Sequence, residues 1–138
     1  MKKNKRNLRM AVVGSREIKD EKFVLHVISY AARTFKTRLN KSVGTIVSGG
    51  AVGVDSFSES WAALHGKKVL VFKPDWKTLG KQAGYVRNVE IINNSDCVLA
   101  IWDGESRGTK HSISIARQAE LPLIVITAAD MENAPGVV

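Results

Sequence analysis

The feature that most constrains this chain is an alternation of short apolar runs with stretches of helical period. Leu8 to Gly14, Thr45 to Val47, Lys68 to Phe72, Asp96 to Ile101 and Leu123 to Thr127 are strand-length runs rich in branched aliphatic residues. Between the first two, residues 20–38 place Phe23, Val24, Val27, Ile28, Ala31, Ala32 and Phe35 at helical spacing, with Asp20 positioned as the cap. Further helices are predicted from Val54 to His65, stopped by Gly66, from Ala83 to Asn93, and from Gly108 to Ala119. Residues 73–82 show no period and read as a polar, aromatic surface loop. Apolar strands separated by helices, with no hairpin signal between them, call for a parallel sheet covered on both faces by right-handed crossovers. The predicted fold class is α/β: a Rossmann-like, doubly wound sheet of about five parallel strands in a single domain.

A chain of 138 residues suits one core, and 44% hydrophobic with 25% charged residues excludes a disordered, fibrous or membrane-embedded class. No apolar run approaches the roughly 20 residues that span a bilayer, so no membrane partner is expected. The lone cysteine, Cys97, excludes an internal disulfide, and a reducing, cytoplasmic setting fits it. The net charge of +8 is concentrated at one end. Five of the 21 cations lie within the first nine residues, which hold no acid, leaving +3 for the remainder. Residues 1–9 therefore read as a basic flexible tail, 10–127 as the folded domain and 128–138 as a loose C-terminal segment.

In an open parallel sheet, ligands bind beyond the carboxyl ends of the strands, which directs attention to the loops there. The first strand ends in Gly14, Ser15 and Arg16. The second ends in Ser48, Gly49, Gly50, Ala51, Val52, Gly53, Val54 and Asp55. Glycines at 49, 50 and 53 permit positive φ and close approach of backbone amides to an anion, although an ordinary tight strand-to-helix turn needs glycine too. The spacing matches neither a Walker loop nor the dinucleotide fingerprint, which disfavours ordinary ATP hydrolysis. The fourth strand leads to Ser106, Arg107, Gly108 and Thr109, a second helix start with a guanidinium suited to phosphate; Ser106 is also a natural helix cap. Asp55 is stabilised by the dipole of the helix it opens, and could equally accept from ribose hydroxyls or order the glycine loop. Asp75, Trp76, Arg87 and Asn88 add an aromatic face for a base and polar groups for phosphate or sugar. Trp61, with Phe57 and Leu64 at core spacing, reads as structural. His26, His65 and His111 have no spaced partners, so neither a metal site nor a Ser-His-Asp triad is expected, and no cofactor is implied.

The ordered series Gly14-Ser15-Arg16, Ser48 to Asp55, Asp75-Trp76, Gly80-Lys81, Ala83-Gly84, Arg87-Asn88 and Ser106 to Thr109 resembles the YspA-like branch of the SLOG superfamily, from about Met10 to Thr127. The resemblance implies a Rossmann-like fold related to the Lonely Guy phosphoribohydrolases and to DNA-processing protein A. It also implies sensing or processing of nucleotide-derived ligands, in a pocket of Gly14, Ser15, Arg16, Gly49, Gly50, Gly53, Asp55, Asp75, Trp76, Arg87, Asn88, Ser106, Gly108 and Thr109. The hydrolases carry Pro-Gly-Gly-x-Gly-Thr-x-x-Glu after the fourth strand. Here Gly108 and Thr109 match, Gly104-Glu105-Ser106 replaces the upstream triplet, and Ser112 stands at the glutamate position.

Three functions are therefore weighed. The first is binding or sensing of a phosphorylated nucleotide-like small molecule. The second is hydrolysis of a nucleotide N-glycosidic bond, with Asp55, Asp103 or Glu105 as candidate catalytic carboxylates. The third is single-stranded DNA binding, which ranks last because so little positive charge lies outside the tail. Pairing into a homo-oligomer is compatible with a small domain of this class.

Overall fold

A computed structural model of the chain describes residues 6–127 and residue 130. Five strands, β1 (Leu8–Gly14), β2 (Val43–Ser48), β3 (Lys68–Val71), β4 (Cys97–Trp102) and β5 (Leu123–Thr127), form one parallel sheet in the order β3-β2-β1-β4-β5. The helices are α1 (Glu21–Leu39), α2 (Val54–Leu64), the short α3 (Trp76–Leu79), α4 (Ala83–Asn93) and α5 (Arg107–Gln118). The expected Rossmann-like α/β class is thus the observed one.

Side-chain alternation along the strands divides the core in two. Met10 and Val12 of β1 face α1 and α2 and pack with Phe23, Phe35, Ile46 and Leu99. Ala11 and Val13 face the other way, toward Ile91, Ile92 and Ile113 of α4 and α5. Met10–Val13 of β1 and Cys97–Ile101 of β4 are therefore continuously apolar, because both faces of a doubly wound sheet are covered. Phe35 is fully buried, and its truncation to alanine would cost about 3–5 kcal/mol. Asp20 caps α1 as predicted, accepting from the Phe23 amide at 3.1 Å. Trp61 is buried as expected, with its Nε1 donating to Ser29 Oγ at 2.9 Å, whereas Leu64 is 71% exposed and takes no part in the core.

Two expectations are corrected. Residues 73–82 are not merely a loop: Asp75 accepts from the Thr78 amide and starts α3, which runs into a 3-10 turn over Gly80–Gln82. A single turn of helix is too short to display a period. The basic segment also ends earlier than residue 9. Leu8 is buried, Arg9 belongs to β1, and Arg6 pairs with Asp96 at 2.7 Å. Strand pairing holds this part of the chain down. Residues 1–5 and most of the expected loose segment, 128–138, lie outside the described residues. Among those described, no helix is long and apolar enough to cross a membrane.

Candidate functional site

The strand order reverses between β1 and β4. From β1 the chain winds outward through α1 and α2 to β3, then returns to start β4 on the opposite side of β1. The loops leaving β1 and β4 diverge and open a crevice. A cavity of about 550 Å³ lies there, within the range of small-molecule sites.

Its floor is built from tight backbone contacts. A Cβ on Gly14 would lie 2.7 Å from the Ile101 carbonyl oxygen and 2.7 Å from Val54 Cβ, so only glycine lets β1 end against the start of α2. Ser15 is almost fully buried. Its amide donates to the Ile101 carbonyl at 3.2 Å and its Oγ accepts from the Asp103 amide at 3.1 Å, stitching the ends of β1 and β4 together. Gly53 has φ +76°, and a Cβ there would meet the Arg16 carbonyl oxygen at 2.8 Å.

Of the residues expected in the pocket, Gly14, Ser15, Arg16, Asp55, Trp76, Arg87, Asn88, Ser106, Gly108 and Thr109 line this one cavity, as do Asp103 and Glu105. Ser48, Gly49, Gly50, Gly53, Asp75 and Arg107 do not. Ser48 instead donates to Glu59 Oε2 at 2.8 Å and accepts from the Gly50 amide at 3.2 Å, so it shapes the glycine turn from behind. Asp75 is spent on capping α3. Arg107 opens α5, whose lining positions Gly108, Thr109 and Ser112 share one face at 3.6 residues per turn; Arg107 falls on the other side and is exposed.

The buried polar groups hold one another. Asp55 accepts from the Ala51 amide at 3.1 Å through Oδ2, so it orders the glycine turn, and burial pushes its carboxyl above the usual range. Arg87 donates through Nη1 to the Gly49 carbonyl at 2.8 Å and through Nε to Asn88 Oδ1 at 3.0 Å. Burial lowers its guanidinium while the Asp55 charge raises it. Asn88 in turn donates to the Gly108 carbonyl at 3.3 Å and lies 3.2 Å from His111 Nδ1. Burial lowers the His111 imidazole, which favours the neutral ring able to accept that bond. Asp55, Arg87 and Asn88 therefore link the turn after β2 to the start of α5.

At α5, Ser106 Oγ accepts from the Thr109 amide at 3.3 Å and from Thr109 Oγ1 at 3.1 Å. Asp103 Oδ1 accepts from the amides of Glu105 and Ser106 at 2.8 and 2.9 Å. Burial opposes ionisation of Asp103, but these amides and the Ser15 hydroxyl outweigh it and hold the carboxyl below its ordinary range. Gly108 has open space where a side chain would stand.

The lining residues Glu17, Tyr85 and Ile91 belong to no motif that singles them out in the sequence, while Ala51, Lys81, Gly84 and Ser112 of the motif-bearing segments line the cavity as well. Tyr85 is half exposed and meets His111 edge-on with ring centroids 4.7 Å apart, while the Trp76 indole lies over Gly84. An exposed tyrosine beside a glycine on an otherwise amphipathic helix was the available signal. Across the lining, four carboxylates face three cations. Among the described residues, no group of three or more His, Cys, Asp or Glu is arranged to hold a metal ion.

The architecture is shared with solved proteins. DNA processing protein A from Streptococcus pneumoniae superposes with a TM-score of 0.67 at 20% identity, covering 86% of this chain and 50% of that one. The same protein from Helicobacter pylori, described for its single-stranded DNA binding mode, gives 0.64 at 24% identity, covering 86% and 64%. This chain thus spans about half to two-thirds of their length, and the likeness is one of fold. In sequence, the Gene 61 protein of Mycobacterium phage D29 is 32% identical over 122 residues, which cover 84% of this chain and 94% of the phage protein. The model of the YspA, cpYpsA-related SLOG family matches residues 8–78, a span that runs from β1 through the glycine turn to the Asp75-Trp76 corner. With the family model matching just over half of the chain and the phage protein 32% identical across most of it, the chain belongs to the YspA, cpYpsA-related SLOG family.

Proposed function

We propose that the cavity binds a nucleotide or a nucleotide-derived phosphate ester, and binds it without cleaving it. The observation that carries this reading is the convergence of Arg16, the open start of α5 at Gly108, and the aromatic rings of Trp76 and Tyr85 on one cavity of about 550 Å³. The first amides of a helix lack partners within it and attract an anion, and a guanidinium beside them adds charge-assisted bonds. Trp76 and Tyr85 offer the planar surfaces that a base needs.

The same geometry argues against N-glycosidic hydrolysis. A hydrolase needs a carboxyl group able to exchange a proton or stabilise an oxocarbenium-like centre. Asp103 is ionised and committed to two amides, Asp55 is committed to Ala51, and Ser112 contributes only a hydroxyl. Glu105 is the remaining carboxylate of the three candidates, and it is exposed. Asp55 and Asn88 line the cavity and also support the two loops, through the Ala51 amide and the Gly108 carbonyl.

Single-stranded DNA binding at the cavity draws support from the fold shared with the Helicobacter pylori protein. A lining with more carboxylates than cations suits a compact ester better than a polyanion.

Isothermal titration with adenosine, guanosine and uridine 5′-monophosphates tests the proposal. Arg16→Ala and Trp76→Ala should each weaken binding about tenfold or more. Retention of full affinity by both variants would refute this pocket, and release of free base during incubation would refute binding without cleavage.

A further inference from the structure

The charge of the folded part is unevenly placed. All five strands are parallel, so their N-terminal ends lie together at the end of the sheet opposite the cavity. α1 and α2 run against the strands and deliver their last turns to that same end. Lys36 and Arg38 stand in the last turn of α1, Lys41 in the turn leading into β2, and Lys67 and Lys68 where β3 begins. Thr45 of β2 pairs with Lys68 of β3, which sets the beginnings of these two strands side by side. No acid occurs from residue 33 to 54 or from 60 to 74. Among the described residues the one ion pair is Arg6–Asp96, so none of these five cations has a carboxylate within 4.0 Å. The cavity lining, by contrast, carries four carboxylates and three cations.

Helix dipoles explain part of this arrangement, since cations complement the C-terminal turn of α1. That effect fades beyond the last turn, and Lys41, Lys67 and Lys68 stand outside any helix. Like charges gathered without partners cost stability, which favours a role in meeting an anion from outside. The five cations are gathered on the β2–β3 side of this end, an arrangement of one sign of charge that attracts a polyanion.

We propose that this end of the sheet docks the sugar-phosphate backbone of a nucleic acid, on a surface separate from the nucleotide cavity. Phosphate contacts of this kind carry no base specificity and are lost steeply as salt rises.

The test is fluorescence anisotropy of the full chain with a labelled 30-nucleotide thymidine oligomer and with a duplex of equal length, across a salt series. The docking variant is Lys36→Glu with Lys68→Glu. The control is Lys77→Glu with Lys110→Glu, exposed cations near the cavity end but outside its lining. The docking variant should lose at least about tenfold in affinity at low salt and show a shallower salt slope, by about 0.7 per lost contact for the single strand and about 0.9 for the duplex. Its titration with nucleoside monophosphates should match the parent protein, which keeps this proposal separable from that of the cavity. Circular dichroism establishes that the variants are folded. The single-strand and duplex arms identify which form of the backbone is preferred, and binding of either supports the proposal. Equal affinity of parent and docking variant, a larger loss in the control, or dependence on residues 1–5 alone in a deletion would each overturn it. So would absence of binding to both nucleic acids, or stronger binding to phosphatidylglycerol vesicles than to either.

Discussion

Arg87 Nη1 donates to the carbonyl oxygen of Gly49 across 2.8 Å, so a side chain of α4 holds the glycine turn that follows β2. The same guanidinium lies close enough to Asp55 to offset part of that buried charge. An arginine that sequence logic assigns to ligand phosphate is thereby a strut between two loops.

Arg87→Met should keep much of the aliphatic bulk while removing the bond to Gly49 and the charge facing Asp55. The expected loss of stability is about 2 kcal/mol, the range for a charge-assisted hydrogen bond that leaves a buried acceptor unpaired. Urea denaturation measures it, and an unchanged midpoint would show that the strut contributes nothing.

Glycine positions around the cavity should separate into two kinds. At Gly49 a Cβ would collide with the Arg87 guanidinium and lie 2.9 Å from Asp55 Oδ2, so Gly49→Ala should destabilise the protein by about 1–3 kcal/mol. At Gly108 a Cβ meets nothing, and alanine inside a helix is favoured over glycine by about 0.8–1 kcal/mol. Gly108→Ala should leave the thermal midpoint unchanged or raised while weakening phosphate-ester binding. Parallel melting and titration curves distinguish the two.

Asp96 and Asp55 should impose opposite pH dependences. Burial tends to raise Asp96, but Arg6 and the Arg9 amide prevail and hold its carboxyl below the ordinary 3.8. Its contribution is present above 3.8 and is lost as the pH falls through the folded value. Asp55 is raised, chiefly by burial, so its contribution is present below 3.8 and lost as the pH climbs through the folded value. Asp96→Asn should cost about 1 kcal/mol at pH 7 for a half-exposed pair, and its gap from the parent protein should close toward pH 3. A gap independent of pH would contradict the assignment.

Cys97 is a built-in reporter of folding. Burial pushes its thiol up to about 12, and its side chain sits in the core beneath α1. Iodoacetamide at pH 7.5 should leave the native protein unlabelled and modify the unfolded chain fully, because only the thiolate is nucleophilic. Rapid labelling without denaturant would mean that β4 opens locally.

Period and punctuation along the chain are enough to locate β1, α4 and β5, because strand alternation, helical spacing and turn residues are local properties. They are also enough for the family, since the ordered glycine and polar motifs survive in linear form. They fail at α3, where one turn carries no period, and at Leu64, whose spacing fits the core although this last residue of α2 points to solvent.

What the sequence determined by itself is that a doubly wound sheet forms and that its strand-end loops are rich in polar groups and glycine. What only the tertiary structure decided is how those groups divide their labour. Arg107 and Arg87 look equivalent as cations along the chain, yet the helical phase of α5 turns the first outward while the Gly49 carbonyl claims the second. Asp55 and Asn88 are likewise taken up by Ala51 and Gly108. Hydrogen-bond partners distant in sequence appear only when the sheet brings them within about 3 Å, and a buried polar group must take whichever partner the fold supplies.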